Sequence, residues 1–186
     1  MIELVRNSII PLSEPSKRRP DLRCAAVLMP IVEVAGLGWQ VILTKRAEHL
    51  KHHPGQISFP GGGFEPDDET LAITAVRETT EEIGIANQHI ELIGRLPQQE
   101  TISQYFVTPF VGIVDNNYQL TIDENEVAEV FSVPLSFVTD QTNQVKKTAT
   151  FNGKAVDYYV IQYEQYNIWG ATARILVNLT RRMHKR

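Results

Sequence analysis

The sequence predicts an α/β (α+β) fold in which a mixed β-sheet is sandwiched between helices. Apolar, β-branched segments alternate along the chain with segments of helical periodicity, as in folds whose helices cover a sheet. Apolar residues make up 42% of the 186 residues, enough for one sizeable core. We find no repeat or linker, so we expect an N-terminal arm over residues 1–22 and a single domain over residues 23–186.

The predicted strands are short and the predicted helices few. Residues 23–34 and 39–44 form a hairpin around the glycine turn at 36–38, and Asn152-Gly153 is a favoured turn pair for a later hairpin. The other expected strands are 90–96, 106–114 and 127–133, and the later hairpin pairs 148–151 with 155–163. Helices are expected over 70–83, from Pro134 for a short stretch, and over 171–183.

The net charge and the cysteine content indicate which binding partners and which cellular compartment to expect. The net charge of −4 gives no general attraction to nucleic acid or to an anionic membrane. The single cysteine, Cys24, excludes an internal disulfide and suits a reducing compartment. No signal peptide or membrane span is recognised, so we expect a cytoplasmic protein that acts on a small molecule, with a homodimer as one open assembly state.

The clearest helix, 70–83, carries a cluster of carboxylates. Its apolar positions define an inner face, Asp67 is expected to cap its start, and Gly84 should end it. Those inner positions are Ala72, Ala75, Val76, Thr79 and Ile83. Glu78, Glu81 and Glu82 stand at i, i+3 and i+4, so their carboxylates share one face and repel one another. Mg²⁺ would relieve that repulsion, because it binds carboxylate oxygens.

Taken alone, this cluster favours a solvated acidic face paired with Lys or Arg. Its context points the other way, since a glycine run, 61–63, precedes the helix and allows the backbone to approach a ligand closely. Eight positions also fit the pattern G-x5-E-x7-R-E-U-x-E-E-x-G-U, with Thr79 at a position that is usually aliphatic. They are Gly63, Glu69, Arg77, Glu78, Glu81, Glu82, Gly84 and Ile85.

This pattern resembles the box of the Nudix hydrolases, and the resemblance implies a divalent cation, Mg²⁺ or Mn²⁺. It implies that Glu78 and Glu82 are the main metal ligands and that Glu81 is a further ligand or assists the attacking water. By the same resemblance, Gly63, Glu69, Arg77 and Gly84 are structural, with Glu69 and Arg77 paired to fix the loop on the helix.

The segment 42–62 is similar to the signature of the coenzyme A diphosphatase branch of that family, L-L-T-x-R-[SA]-x3-R-x3-G-x3-F-P-G-G. All spacings agree, although Ile42 replaces Leu and Lys51 replaces Arg. The resemblance implies that Arg46, Lys51, Gly61 and Gly62 bind substrate, whereas ordinary surface charge is the alternative for the two basic residues. Loop polarity explains His49, and the roles of His52 and His53 stay open.

Glu126 lies where members of the family often place an additional carboxylate, so it is expected to be catalytic, with a solvated turn as the alternative. The resemblance implies cleavage of a diphosphate bond, converting coenzyme A into 3′,5′-ADP and 4′-phosphopantetheine. Two rivals are the same chemistry on ADP-ribose, dinucleoside polyphosphates or nucleoside triphosphates, and a non-catalytic domain that senses a nucleotide. The second is disfavoured because all the glutamates of the box are present.

Overall fold

A large mixed sheet and a small second sheet organise the molecule, which is described here from a computed structural model covering residues 1–19, 21–151 and 153–185. The strands are β1 (Arg23–Val34), β2 (Gly38–Arg46), β3 (Ile57–Ser58), β4 (Gly61–Gly63), β5 (Ile90–Arg95), β6 (Gln99–Glu100), β7 (Tyr105–Val114), β8 (Val127–Pro134), β9 (Val145–Phe151), β10 (Lys154–Tyr163) and β11 (Tyr166–Trp169). The helices are α1 (Ile2–Arg6), α2 (Leu71–Ile83), α3 (Leu135–Val138) and α4 (Gly170–Met183). The predicted α/β (α+β) class with a mixed sheet is confirmed.

The main sheet is built around one parallel pair of strands. β1 and β7 run parallel in a register that pairs Arg23 with Tyr105 and Val32 with Val114, and the other pairs within the described ranges are antiparallel. Its order is β3-β2-β1-β7-β5, with β4 added to β1, β6 to β7 and β8 to β2. β9, β10 and β11 form the second sheet. Asn152, of the predicted 152–153 turn, lies outside the described residues.

Different helices pack on the two faces of the main sheet. Ala26 and Leu28 of β1 point to one face and pack under α2, whereas Met29 and Ile31 belong to the large core that includes residues of α4. Successive residues of a strand point to opposite faces, so the odd-numbered residues of β1 share the α4 face. The sheet therefore lies between helices. No helix in the described part of the chain is long and apolar enough to cross a membrane.

Residues 2–15 pack against the domain. Val5 of α1 is completely buried in the large core, and Ile10 forms a β-bridge with Arg95. The Arg95 guanidinium donates hydrogen bonds to the carbonyl oxygens of Glu14 and Pro15. The segment 1–22, expected to be an arm, therefore contributes apolar side chains to the core through α1.

Helix α2 begins later and faces the sheet with a different set of residues from those predicted. Thr70, not Asp67, caps it, because the Thr70 hydroxyl accepts a hydrogen bond from the Ile73 N–H at 3.2 Å. Gly84 ends it as predicted, with a φ of 75°. The buried residues are Leu71, Thr74, Ala75, Thr79, Glu82 and Ile83, whereas Ala72 and Val76 are only partly buried. The helix therefore turns Glu82 towards the sheet.

Candidate active site

Helix α2 presses two of its carboxylates against the glycine strand β4. The Gly61 N–H donates a hydrogen bond to Glu82 Oε2 at 3.1 Å. A Cβ at Gly62 would lie 2.5 Å from the Glu78 carboxylate carbon, so that carboxylate would have to move away. Glycine at position 62 therefore leaves room for Glu78, whereas glycine at position 61 allows β4 to approach the backbone of β1, where a Cβ would lie 2.4 Å from the Ala26 carbonyl oxygen.

The Glu82 carboxylate is buried without a full set of partners. Its side chain is 4% exposed, and burial raises its pKa to about 8. The Gly61 hydrogen bond and Arg46, 4.0 Å away, favour the charged form, whereas the charges of Glu78 and Glu126 oppose it. Burial also raises the pKa of Glu78, and Arg77 opposes that shift. Such a pair of carboxylates gains stability from a cation between them.

The donor set suits a small divalent cation. Mg²⁺ is typically held by one or two carboxylates together with water and substrate phosphates, so Glu78 and Glu82 would suffice as protein ligands. Within residues 1–19, 21–151 and 153–185, no group of three His, Cys, Asp or Glu side chains converges on one point. Glu81 is 58% exposed, and its carboxylate accepts a hydrogen bond from Arg77 at 2.8 Å. The three-glutamate cluster expected from the sequence is thus divided.

Arg77 is held by Asp68 and not by Glu69, which corrects the expected pair. Arg77 Nε and Nη2 donate to the two oxygens of Asp68 at 3.0 Å each, and Nη2 also donates to the Gly63 carbonyl at 3.2 Å. Asp68 further accepts hydrogen bonds from the Thr74 hydroxyl and from a backbone N–H. These contacts, with Arg77 foremost, lower the pKa of Asp68 to about 2. Glu69 is exposed.

A cleft of about 580 Å³ opens beside the two glutamates. Its floor is formed by alternate residues of β1, namely Arg23, Ala25 and Val27. These residues precede the point at which Met29 joins the large core, so this end of the sheet face is left uncovered. Glu78 and the glycines of β4 line one wall of the cleft, and the start of β7 contributes Tyr105 and Val107.

Most of the expected substrate-binding residues lie at this cleft, on strands β2 and β4. Arg46 lines the cleft, as do Gly61, Gly62, His52 and His53. Lys51 is exposed and is not among the lining residues, so the structure separates it from the others. Gly55 has a φ of 66°, and a Cβ there would lie 2.8 Å from the Glu48 carboxylate. That glycine is thus required by the loop conformation.

Glu126 lies at the acidic end of the same cleft. Its carbonyl accepts a hydrogen bond from the Ala47 N–H at 2.9 Å, which ties it to the end of β2. It is exposed, and its charge raises the pKa of both Glu78 and Glu82.

Several residues that line the cleft were not singled out from the sequence. They are Arg23, Gln56, Ser58, Thr101, Ser103 and Tyr105. The first of these begins β1 and the last begins β7, and they become neighbours only through the parallel pairing of those strands. The signal in the sequence was weak: Arg23 begins the predicted segment 23–34, and Tyr105 directly precedes the predicted segment 106–114.

Residues 23–157 match the sequence model of a protein family, the NUDIX domain. This match covers well over half of the chain. The chain belongs to the Nudix family. Its Nudix box runs from the last residue of β4 through α2 to Ile85.

Relatives support the same assignment. Proteins of Salmonella paratyphi B and Salmonella newport, each named uncharacterized Nudix hydrolase NudL, are 38% identical to the chain over 157 residues. The alignment spans 84% of this chain and 81% of each relative. The protein is therefore a Nudix hydrolase, and hydrolases of this family generally use divalent metal ions.

Solved structures share the fold. A Nudix hydrolase from M. smegmatis, RenU, is 20% identical with a TM-score of 0.53, and the match covers 69% of this chain and 79% of RenU. A NUDIX hydrolase from Alicyclobacillus acidocaldarius is 19% identical with a TM-score of 0.52, and the match covers 66% and 83% of the two chains. The mixed sheet with its helices is accordingly a Nudix fold.

Proposed function

We propose that this Nudix hydrolase cleaves the diphosphate bond of coenzyme A or a derivative of it, giving 3′,5′-ADP and 4′-phosphopantetheine. The observation that carries the proposal is the pair of carboxylates, Glu78 and Glu82, set against the glycine strand at one end of an open cleft. A diphosphate in that cleft would bring its own oxygens to the position that a shared Mg²⁺ or Mn²⁺ would occupy.

Each acidic residue has a separate part in the proposed reaction. A divalent cation, when bound, activates water for attack on phosphorus and neutralises charge on the diphosphate oxygens. Glu78 and Glu82 would hold that cation, and the Gly61 hydrogen bond fixes the orientation of Glu82. Glu126, exposed at the same end, accepts the proton of the attacking water. Glu81 orients the Arg77 guanidinium, to which it is bonded.

The substrate preference rests on the loop that resembles the coenzyme A signature. Arg46 lines the cleft, 4.0 Å from Glu82, where its guanidinium can form a forked contact with a phosphate of the diphosphate. His52 and His53 line the same wall and add hydrogen-bond donors. Lys51 lies outside the cleft and contributes a more distant charge.

A competition assay tests the proposal. Coenzyme A, ADP-ribose, a dinucleoside polyphosphate and a nucleoside triphosphate are supplied at one ionic strength with Mg²⁺ or Mn²⁺, and products are identified by mass spectrometry. We expect the highest kcat/KM for coenzyme A and none of these activities in EDTA. The matched control is Glu82→Gln, purified in the same way, which excludes a contaminating hydrolase. Faster cleavage of ADP-ribose would assign another substrate, and tight binding of nucleotides without turnover would favour a sensor.

A further inference from the structure

The end of the cleft remote from the glutamates carries an arginine held in a fixed orientation. The Arg23 guanidinium carbon lies 4.1 Å from the centroid of the Tyr105 ring, a distance typical of a cation–π contact. Arg23 Nη2 also donates to the Ser103 carbonyl at 3.1 Å. Arg23 and Tyr105 are direct partners in the parallel β1–β7 register, so both contacts follow from the sheet. The guanidinium is therefore preorganised.

The distance from Arg23 to the glutamates matches a nucleotide. Val27 is paired with Gly61, whose N–H binds Glu82. Arg23 stands four residues before Val27 on β1, which is roughly 13 Å at about 3.3 Å per residue. A diphosphate at the glutamates would place its nucleoside half along this floor, with Arg23 near the far end. Ala25, between them, is small and leaves room for a sugar.

The Arg23 charge is not neutralised by the protein. Its neighbour Arg19 is paired with both Asp21 and Glu100, whereas Arg23 has no carboxylate partner in the part of the chain that the structure describes. Among the described residues its guanidinium donates only to Ser103, through Nη2, so Nε and Nη1 remain available as donors. The hydroxyls of Thr101 and Ser103 lie 3.0 Å apart at the same end of the cleft. Such a group of donors suits an anion.

We propose that Arg23, supported by Tyr105, binds a phosphate monoester on the nucleoside half of the substrate. The inference rests on the proposed function, because only a diphosphate that carries a further ribose phosphate, as coenzyme A does, would use this site. A nucleobase stacked on the free face of the guanidinium is the competing occupant. The ring of Tyr105 already covers one face, and the surrounding hydroxyls favour phosphate oxygens over an aromatic surface.

Equilibrium binding of two product-like nucleotides tests the proposal. 3′,5′-ADP and 5′-AMP differ only in the 3′-phosphate, and their dissociation constants can be measured by calorimetry at one Mg²⁺ concentration and one ionic strength. We expect the protein to bind 3′,5′-ADP at least about tenfold more tightly. Arg23→Met should remove most of that preference and leave the affinity for 5′-AMP within about twofold.

Two further variants control for indirect effects. Arg18→Met removes a similar cation–π contact, 3.9 Å from the Phe64 ring, from a residue that does not line the cleft, and it should leave both affinities unchanged. Arg23→Lys keeps the charge but loses the fork, so it should retain part of the preference. If Arg23→Met lost the same affinity for both nucleotides, the nucleobase would be the group that Arg23 contacts. If the unmodified protein showed no preference for 3′,5′-ADP over 5′-AMP, the proposal would be refuted.

The binding experiment tests the phosphate site, and the substrate assay tests the proposed function, so either proposal can fail without the other. If ADP-ribose were the best substrate while Arg23→Met still weakened only 3′,5′-ADP binding, the proposed function would fail and the phosphate site would stand. If coenzyme A were the best substrate and Arg23→Met changed neither affinity, the phosphate site would fail and the proposed function would stand.

Discussion

Two neighbouring groups of charged residues, on α2 and in the loop before it, differ in how far their charges are stabilised by the protein. Arg77 and Asp68 satisfy each other through a forked pair of hydrogen bonds, and the pKa of Asp68 falls to about 2. Glu78 and Glu82, one and five residues after Arg77, lie against the glycine strand, and burial raises their pKa values although Glu78 also lies 3.0 Å from Arg77. The first group stabilises the folded protein as it stands. The second would gain stability from a bound cation, and this difference supports the proposed metal site.

Glu82→Gln should give the largest effect and separates the two groups most clearly. We expect kcat to fall by roughly two orders of magnitude or more, because a metal ligand is lost. The melting temperature of the metal-free protein should stay the same or rise, since the substitution replaces a carboxyl group whose ionisation burial opposes. Steady-state kinetics and calorimetry measure both quantities. A folded variant with unchanged turnover would remove Glu82 from the metal site.

Asp68→Asn should act in the opposite way. It removes the buried carboxylate that accepts the forked pair of hydrogen bonds from Arg77, so we expect a loss of about 2–3 kcal/mol in the free energy of unfolding. Glu69→Gln is the matched control, because Glu69 is an exposed neighbour and should change stability by no more than about 0.5 kcal/mol. Urea unfolding compares the variants. If Glu69→Gln lost more stability than Asp68→Asn, the Glu69–Arg77 pair predicted from the sequence would be supported instead.

Gly62→Ala tests why the carboxylates can approach the sheet. Its Cβ would lie 2.5 Å from the Glu78 carboxylate carbon and displace it, so we expect kcat/KM to fall about tenfold. At Gly63 an added Cβ would meet nothing within 4 Å, so Gly63→Ala should retain most activity. If both variants lost the same amount of activity, the glycines of β4 would be needed for backbone freedom and not to leave space for Glu78.

The stability difference between the unmodified protein and Asp68→Asn should depend on pH. The folded pKa of Asp68, about 2, lies below its ordinary value of 3.8. A depressed pKa contributes stability above the ordinary value, and that contribution is lost as the pH falls through the folded value. The difference should therefore be full at about pH 5 and smaller at about pH 3. A difference that grew on acidification would contradict the assignment.

Glu81→Gln should have the smallest effect, because Glu81 sits between the two groups. Its exposed carboxylate contacts Arg77 and does not enter the glycine strand, so we expect kcat to fall less than tenfold and stability to change by about 0.5 kcal/mol. Kinetics alongside Glu82→Gln provide the comparison. Equally large losses of kcat in the two variants would place Glu81 among the residues that act directly on substrate or metal.

The sequence predicted helix α2 and the positions of its glutamates, but it did not predict which residues surround them. The box pattern located α2 and Gly84, because spacing along a helix is a local property. It could not tell Asp68 from Asp67 or Glu69, since three successive acidic residues are equivalent until the loop conformation is known. It also left Thr70 unrecognised as the cap. The inner face of α2 was predicted in part: Ala75, Thr79 and Ile83 are buried as expected, but apolar periodicity does not reveal that Glu82 is buried too.

The floor of the cleft was beyond prediction for a different reason. Arg23 and Tyr105 meet only through a parallel pairing, and such registers depend on the whole chain and not on a local pattern. The second sheet was found in part, as the hairpin of β9 and β10, but β11 was missed because four residues carry little periodicity. The packing of α1 on the core had no signal beyond a few apolar residues.

The parallel pairing of β1 with β7 also bears on the order in which the enzyme can be made. Arg23 and Ser103, which touch in the folded protein, are 80 residues apart in sequence. Closing so long a loop is slow in comparison with forming a hairpin. On the ribosome, the hairpin of β1 and β2 and the helix α2 emerge well before β7. A nascent chain therefore has β1 and the glutamates of α2 before β7 completes the cleft, and hydrolytic activity must wait for the last strand of that pair.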